Sequence, residues 1–175
     1  LVFLKTCVPR TVSFEGLKIV IDCANGAAYR VGPEVLQELG AEVVGLGVEP
    51  NGTNINANCG AVHLEPLRAA VMRHQAHVGI ALDGDGDRAM LVDEQGAVFD
   101  GDDVMALLGT RMAAQGQLHD NTVVGTVMSN FGLELALRRL GVEFRRAPVG
   151  DRHVLAKLME YGGVLGGETS GHILS

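Results

Sequence analysis

The chain has 175 residues, enough for one large or two small domains that each bury a core. Its net charge of −7 argues against a nucleic-acid partner and against an anionic membrane surface, because both require a basic face. No apolar run reaches the roughly 20 residues of a membrane span, and no signal-peptide pattern is present.

The three cysteines are odd in number and far apart in the sequence, at Cys7, Cys23 and Cys59. No CxxC pair or paired histidine spacing accompanies them, so we predict reduced thiols and a cytoplasmic protein. The chain starts at Leu1 without Met and stops at Ser175 inside an apolar run. These ends lead us to expect a segment of a longer protein.

Residues 1–16 show no clear periodicity and carry Pro9, which predicts a connector from a missing N-terminal domain. From residue 17 onward the pattern alternates between strand and helix. The first block contains predicted strands at 18–22, 41–48 and 77–82 and predicted helices at 33–40 and 64–74. The β-branched run 18–22 is typical of a strand buried on both faces of a parallel sheet. A hairpin-like excursion that turns at 94–96 ends the block.

The same order of elements begins again near residue 100, where we place the domain boundary. Asp100 and Asp102 provide acidic capping for the helix that opens this second block. The second block contains predicted strands at 122–127, 142–147 and 164–168 and predicted helices at 103–115, 131–141 and 153–162.

Two segments indicate that the blocks are related by internal duplication. Residues 36–44 and 137–145 both contain a helix end, a glycine and a strand start. We therefore predict an α/β fold made of two similar three-layer α/β domains, residues 17–100 and 101–175. Their mixed sheets are predicted to be mostly parallel.

The sequence DGDGDR directly follows the third predicted strand, at the end of the strand where open α/β sheets bind ligands. Asp83, Asp85 and Asp87 would repel one another by about 3 kcal/mol per pair, so we expect a cation between them. Carboxylate oxygens alone favour a hard divalent ion such as Mg²⁺. The two intervening glycines allow the three side chains to converge. Arg88 ends the loop with a planar fork suited to phosphate.

Two other interpretations of this acidic loop are open. One is a solvated Asp/Gly turn. The other is a calcium-stabilised structural domain, because Asp83, Asp85, Asp87 and Glu94 fall at positions 1, 3, 5 and 12 of an EF-hand loop. Arg88 stands where that loop needs glycine, and the predicted flanks are strands, so the calcium site is less favoured.

A second polar stretch, GGETSGH, follows the last predicted strand. Glu168 offers a bidentate acceptor for hydroxyls or an amine, Ser170 a short donor, and His172 a proton carrier that titrates near neutrality. A glycine-rich turn with an incidental histidine is the alternative. Arg152 opens a predicted helix, where it could contact phosphate. We favour Asp151 as the N-cap of that helix.

These two stretches, with DCANGA upstream and MSNFGLELAL and VGDR between them, resemble the α-D-phosphohexomutase superfamily. Within it the chain is most similar to the bacterial branch that acts on glucosamine phosphates. The resemblance runs from about residue 17 to residue 175 and implies the second domain and most of the third domain of a four-domain mutase. It implies that a phosphoserine in a missing domain, supported by Mg²⁺, interconverts glucosamine 6-phosphate and glucosamine 1-phosphate through a bisphosphate.

The resemblance also implies roles for individual residues. The metal ligands would be Asp83, Asp85 and Asp87; Arg88 and His172 would be catalytic, with His172 as candidate general base; Glu168, Ser170, His172 and Arg152 would contact the substrate. The implied partners are a hexosamine phosphate, the missing phosphoserine and phosphate-binding domains and, as one option, a second copy in a homodimer. No nucleic-acid or membrane partner is expected.

Two departures from the superfamily pattern keep alternatives open. Thr169 stands where the glucosamine branch usually carries an amide side chain, so glucose or mannose phosphates are alternative substrates. The chain contains no phosphoserine loop and no phosphate-gripping loop of the superfamily type. We therefore expect this segment alone to be inactive, and a non-catalytic sugar-phosphate binding module is a further alternative.

Overall fold

The structure is a computed structural model that describes residues 2–9 and 11–175. The chain divides after Val98 into two compact units, and each is built around its own sheet. Among the described residues, no helix combines the length and the apolar character needed to cross a bilayer.

Unit 1 is the part of the chain up to Val98. Its elements are α1 (Val2–Thr6), β1 (Lys18–Asp22), α2 (Val31–Glu38), β2 (Glu42–Leu46), α3 (Glu65–His74), β3 (Val78–Leu82) and β4 (Ala89–Asp93), and the two residues of its edge strand β5 (Val98–Phe99) lie on either side of the division. The sheet order is β2-β1-β3-β4-β5. Strand β1 pairs in parallel with β2 and β3, and β4 runs antiparallel to β3.

The central strand β1 is buried on both faces, as its β-branched run predicts. Val20 packs with Leu67 and Val71 of α3 on one face. Ile21 packs with Leu36 of α2 on the opposite face. Adjacent side chains of a strand point to opposite sides, so these two clusters place α2 and α3 on either side of the sheet. Unit 1 is therefore a three-layer α/β domain.

Unit 2 runs from Phe99 to Ser175. Its elements are α4 (Gly101–Ala114), a short 3₁₀ turn (His119–Asn121), β6 (Thr122–Thr126), α5 (Phe131–Arg139), β7 (Glu143–Ala147), α6 (Asp151–Tyr161), β8 (Gly166–Gly167) and β9 (Ile173–Leu174). The sheet order is β7-β6-β8-β9, with β6 parallel to β7 and β8 and with β9 antiparallel to β8. Val123 of β6 packs against Met105 and Leu137, whereas Val124 packs against Val154. Two helical layers therefore enclose this sheet as well.

The two units share one topology. The order β2-β1-β3-β4 in unit 1 is matched by β7-β6-β8-β9 in unit 2. Gly40 and Gly141, the glycines of the related sequence segments, join helix to strand with φ values of +102° and +73°. Such left-handed conformations favour glycine, which explains why both segments carry it. The prediction of two similar α/β domains with mixed, mostly parallel sheets is confirmed.

Local differences from the prediction lie at the ends of elements. The predicted connector contains the five-residue helix α1, and α2 starts at Val31, two residues before Pro33. Asp100 caps α4 as predicted, because its Oδ1 accepts hydrogen bonds from the backbone amides of Asp102 and Asp103 at 2.9 and 3.2 Å, but the second capping acid is Asp103 and not Asp102. Strand β8 spans only two residues of the predicted 164–168.

The cysteines differ in burial and provide a test of the unit 1 core. Cys23 is fully buried, and burial, followed by the charge of Asp22, raises its pKa to about 12. Burial also raises the pKa of Cys59, whereas Cys7 is exposed. We expect a thiol reagent at about pH 8 to modify Cys7 quickly and the other two only after unfolding. Mass spectrometry of labelled peptides measures this, and equal rates at all three sites in the native protein would contradict the buried core.

The Cys23 thiol also makes the free energy of unfolding depend on pH. The pKa of Cys23 is higher in the folded chain than its ordinary value of 9.0. Its contribution to the free energy of unfolding is therefore fully present below pH 9.0 and decreases as the pH rises towards about 12. Denaturant unfolding of the protein and of Cys23→Ala at several alkaline pH values should show a larger decrease in the protein that keeps this thiol, because Cys59 contributes to both.

Candidate functional site

The acidic loop of unit 1 leaves the carboxyl end of β3 and enters β4. One carboxylate oxygen from each of Asp83, Asp85 and Asp87 lies within 4.8 Å of the other two. Neighbouring oxygens around an octahedral Mg²⁺ are about 3 Å apart and opposite ones about 4.2 Å, so the three carboxylates would draw closer together to hold a hard divalent ion. The flanking elements are strands, unlike the helices of an EF-hand.

Arg88 lies beside these carboxylates. Its Nε is 3.5 Å from Asp83 Oδ2 and 3.7 Å from Asp87 Oδ1. Its backbone amide donates a hydrogen bond to Asp83 Oδ1 at 3.2 Å. Asp83 is nearly buried, whereas Asp87 and Arg88 are exposed. The loop therefore joins three acids to one guanidinium group at the surface of the domain.

A buried acid that the sequence analysis did not select holds the neighbouring loops. Asp22, the last residue of β1, is fully buried. Its Oδ1 accepts a hydrogen bond from the amide of Ala24 at 2.9 Å, and its Oδ2 accepts one from the amide of Gly60 at 2.8 Å. One carboxylate thus fastens the loop after β1 to the loop after β2. The signal in the sequence was an acid that ends a strongly apolar strand.

The loop after β1 supports the acidic loop directly. Ala24 and Asn25 have φ values of +53° and +49°, an uncommon pair of left-handed conformations. This turn brings the amide of Ala27 to the carbonyl of Gly84 at 2.8 Å. A Cβ at Gly84 would lie 2.7 Å from Ile55 Cδ1, so the close packing requires glycine there. DCANGA is therefore a brace for the acidic loop.

The stretch GGETSGH forms a tight hairpin turn between β8 and β9. The amide of Glu168 donates to the carbonyl of His172 at 2.9 Å, and the amide of Gly171 donates to the carbonyl of Glu168 at 3.0 Å. Ser170 is exposed, whereas Glu168 and His172 are half-buried. The turn thus carries four polar side chains, those of Glu168, Thr169, Ser170 and His172, within five residues at the carboxyl end of a parallel strand.

Glu168 also contacts the turn that precedes α6. Its Oε1 accepts a hydrogen bond from the amide of Gly150 at 2.7 Å. The prediction that Asp151 caps this helix is wrong, because Gly150 is the N-cap and no side chain caps the helix. Gly150 has a φ of +120°, which favours glycine, and the Asp151 carboxylate accepts from the amide of Arg152 instead. Arg152 therefore lies in the first turn of the helix that begins beside Glu168.

The two polar loops occupy equivalent places in the two units. The acidic loop connects β3 to β4, and the hairpin turn connects β8 to β9. In each unit the loop leaves a parallel strand next to the central strand and enters an antiparallel one. The structure thus gathers Asp83, Asp85, Asp87 and Arg88 in unit 1 and Glu168, Ser170 and His172 in unit 2.

The role of Asp22 as a brace is testable. Asp22→Ala leaves two buried amides without their acceptor, so we expect it to lower the free energy of unfolding by about 3 kcal/mol or more. Asp22→Asn keeps one acceptor oxygen and should cause a smaller loss. Urea unfolding followed by circular dichroism measures both. Equal stability of the alanine variant and the unchanged protein would exclude the bracing role.

Comparison with known proteins gives the family. Residues 3–96 match the domain described as phosphoglucomutase/phosphomannomutase, alpha/beta/alpha domain II. Residues 100–175 match the domain described as phosphoglucomutase/phosphomannomutase, alpha/beta/alpha domain III. The two matches lie on either side of residue 98, after which the structure divides.

Two curated relatives carry the name phosphoglucosamine mutase. The protein of Citrifermentans bemidjiense is 54% identical over 99% of this chain, which covers 38% of that protein. The protein of Rhodospirillum centenum is 57% identical over 98% of this chain, which covers 36% of that protein. The chain therefore spans less than two fifths of the length of these relatives.

Solved structures share the fold. A phosphoglucomutase/phosphomannomutase family protein of Burkholderia thailandensis superposes with a TM-score of 0.81 at 30% identity, covering 90% of this chain and 34% of that one. The N-acetylphosphoglucosamine mutase of Aspergillus fumigatus, in complex with GlcNAc-6P and magnesium, gives a TM-score of 0.64 at 23% identity, covering 94% of this chain and 36% of that one. The resemblance to the phosphohexomutases is confirmed, and the chain belongs to the phosphoglucomutase/phosphomannomutase family, whose domains II and III it contains.

Proposed function

We propose that this chain forms the metal-binding and sugar-binding domains of a phosphoglucosamine mutase, which interconverts glucosamine 6-phosphate and glucosamine 1-phosphate. The observation that carries the proposal is the convergence of three aspartate oxygens within 4.8 Å at the carboxyl edge of a mostly parallel sheet. The names of relatives that are 54% and 57% identical support the choice of glucosamine phosphate.

The proposal assigns a role to each part of the chain. Residues 17–100 are the metal-binding domain, residues 101–175 are the sugar-binding domain, and residues 1–16 are a connector that includes α1. The phosphoserine and the phosphate-gripping loop belong to the part of the longer protein outside this chain. We assign the reaction to the cytoplasm, where the three free thiols would stay reduced.

In unit 1, the acidic loop holds the metal and orients the phosphoryl group. Asp83, Asp85 and Asp87 supply a purely carboxylate set that suits Mg²⁺. When bound, Mg²⁺ would withdraw negative charge from the transferring phosphoryl group. Arg88, held by its ion pairs to Asp83 and Asp87, would bind phosphoryl oxygens with its planar fork. Positioning and charge neutralisation of this kind supply most of the catalysis in phosphoryl transfer.

In unit 2, the hairpin turn binds the sugar and moves the proton. Glu168, whose Oε1 is held by the amide of Gly150, and Ser170 would bind sugar hydroxyls. A sugar hydroxyl oxygen attacks the phosphorus of phosphoserine, the serine oxygen–phosphorus bond breaks, and His172 takes the hydroxyl proton. The second half returns the other phosphoryl group to serine. Arg152, in the first turn of α6, would contact the phosphate that is not transferred.

The activity is tested in the longer enzyme that contains this chain. Asp85→Ala removes one carboxylate of the cluster, so we expect interconversion of the two glucosamine phosphates to fall at least about 100-fold with the fold intact. Glu94→Gln is the matched control, because Glu94 is an exposed acid after the loop and has no assigned role. Retained turnover in the Asp85 variant would exclude the proposed site. Faster turnover of glucose or mannose phosphates than of glucosamine phosphates would contradict the proposed substrate but support the proposed reaction.

The choice of ion is tested on the 175-residue chain by thermal unfolding with added Mg²⁺ or Ca²⁺. We expect Mg²⁺ to raise the melting temperature more than Ca²⁺ does, since Mg²⁺ keeps several waters and needs few protein ligands, whereas Ca²⁺ sites use a larger set of protein oxygens than one from each of three carboxylates. Asp85→Asn should remove the shift, whereas Glu94→Gln should keep it. Loss of the shift in the Glu94 variant, together with a preference for Ca²⁺, would instead support an EF-hand-like site.

A further inference from the structure

Asp102, at the start of α4, is a buried acid whose role goes beyond helix capping. It is only 5% exposed. The cap of α4 is made by Asp100 and by Asp103, whose Oδ2 accepts from the amide of Asp100 at 3.1 Å. The Asp102 carboxylate is therefore not used by its own helix, and its hydrogen bonds go to other parts of unit 2.

One oxygen of Asp102 binds the tip of the GGETSGH turn. Its Oδ2 accepts a hydrogen bond from Thr169 Oγ1 at 3.0 Å. The preceding residue of α4 adds a second bond to the same tip, because the amide of Gly101 donates to the carbonyl of Thr169 at 3.1 Å. A Cβ at Gly101 would overlap the carbonyl of Glu168, so α4 approaches the turn at backbone distance. The first turn of α4 thus binds Thr169 through the Asp102 side chain and through the Gly101 backbone amide.

The same oxygen reaches the beginning of α5. Asp102 Oδ2 accepts from the amide of Asn130 at 2.6 Å. The loop that contains Asn130 is itself fixed, because Arg146 Nη1 donates to the carbonyls of Thr126 and Ser129 at 3.0 and 2.9 Å. Asp102 therefore connects the turn that carries Glu168 to an anchored part of the domain.

The second carboxylate oxygen of Asp102, Oδ1, is also buried. Within residues 2–9 and 11–175, Asp102 Oδ1 has no hydrogen-bond partner. A buried carboxylate that is only half satisfied destabilises a fold, and a neutral residue at this place would avoid that loss. A carboxylate does offer short, charge-assisted hydrogen bonds to two donors at once. Asp102 accepts both of its hydrogen bonds, from the Asn130 amide and the Thr169 hydroxyl, through Oδ2.

We propose that Asp102 is a positioning residue for the sugar-binding turn. By holding Thr169, it keeps Glu168 and Ser170, the neighbours of Thr169, and His172 in the geometry that binds the hexose phosphate. This inference rests on the proposed function of that turn. It adds Thr169 Oγ1 as the atom through which Asp102 acts.

The first test is hydrogen exchange in the 175-residue chain. Thr169→Val removes the hydroxyl with little change of shape, so we expect the amides of Glu168 and Gly171 to exchange about tenfold faster. Thr169→Ser is the matched control, because it keeps the hydroxyl and should keep the protection. The amide of Asn130 is an internal reference, which should stay protected in both variants and lose protection in Asp102→Ala.

The second test is steady-state kinetics in the longer enzyme. Thr169→Val and Asp102→Ala should raise KM for the hexose phosphate about tenfold and change kcat less, because a loosened turn weakens sugar binding. Thr169→Ser keeps the hydroxyl, so its KM should stay within about twofold of that of the unchanged enzyme. A role in stability alone would lower the melting temperature without raising KM.

Each outcome decides the proposal. Unchanged exchange at Glu168 and Gly171 in Thr169→Val would overturn it, and so would faster exchange with an unchanged KM. Faster exchange with a raised KM, both reversed by Thr169→Ser, supports it. If the longer enzyme has no mutase activity, the proposed function fails by itself, and the exchange result still decides whether Asp102 holds the turn.

Discussion

Parallel pairing of one central strand with two neighbours is the constraint on which both units depend. Strand β1 pairs with β2 and β3, and β6 pairs with β7 and β8. Parallel neighbours must be joined by crossovers that lie on the faces of the sheet, so every loop that follows such a strand leaves from the same edge. The polar sequences DCANGA, DGDGDR, MSN and GGETSGH all follow parallel strands. The chemistry of each domain is therefore collected at one edge, while the apolar side chains fill the two faces.

Charged side chains that are buried or partly buried hold these loops in place. In unit 1, Asp22 joins two loops through the amides of Ala24 and Gly60. In unit 2, Arg146 and Asp102 join the loop after β6 to its surroundings. Each of these groups makes charge-assisted hydrogen bonds to backbone atoms, which fix a direction as well as a distance. Such bonds suit loops that must present carboxylates, a guanidinium group or an imidazole in a defined arrangement.

The shared topology explains how two different chemistries arise from one architecture. The loop between the third parallel strand and the antiparallel strand carries three aspartates in unit 1, and it carries Glu168, Ser170 and His172 in unit 2. The strands and helices that present these loops are the same in order and direction. Changes confined to loop residues leave the cores intact, because the clusters around Val20 and Val123 do not include those residues. The sheet determines where each loop lies, and the loop residues determine which polar groups are presented there.

The sequence by itself determined the alternation of strand and helix, the double burial of β1 and the two polar loops. These follow from local patterns: β-branched runs, helical spacing of apolar residues, and acids that no core would accept. It did not determine the partners of Asp22 and Asp102, the cap at Gly150 or the two-residue pairing of β8 with β9. The partners of the two acids include groups far apart in the chain, such as Asp102 and Thr169, which only the folded domain brings within 3.0 Å. A local pattern records what a residue prefers, whereas the tertiary structure decides which distant group satisfies it.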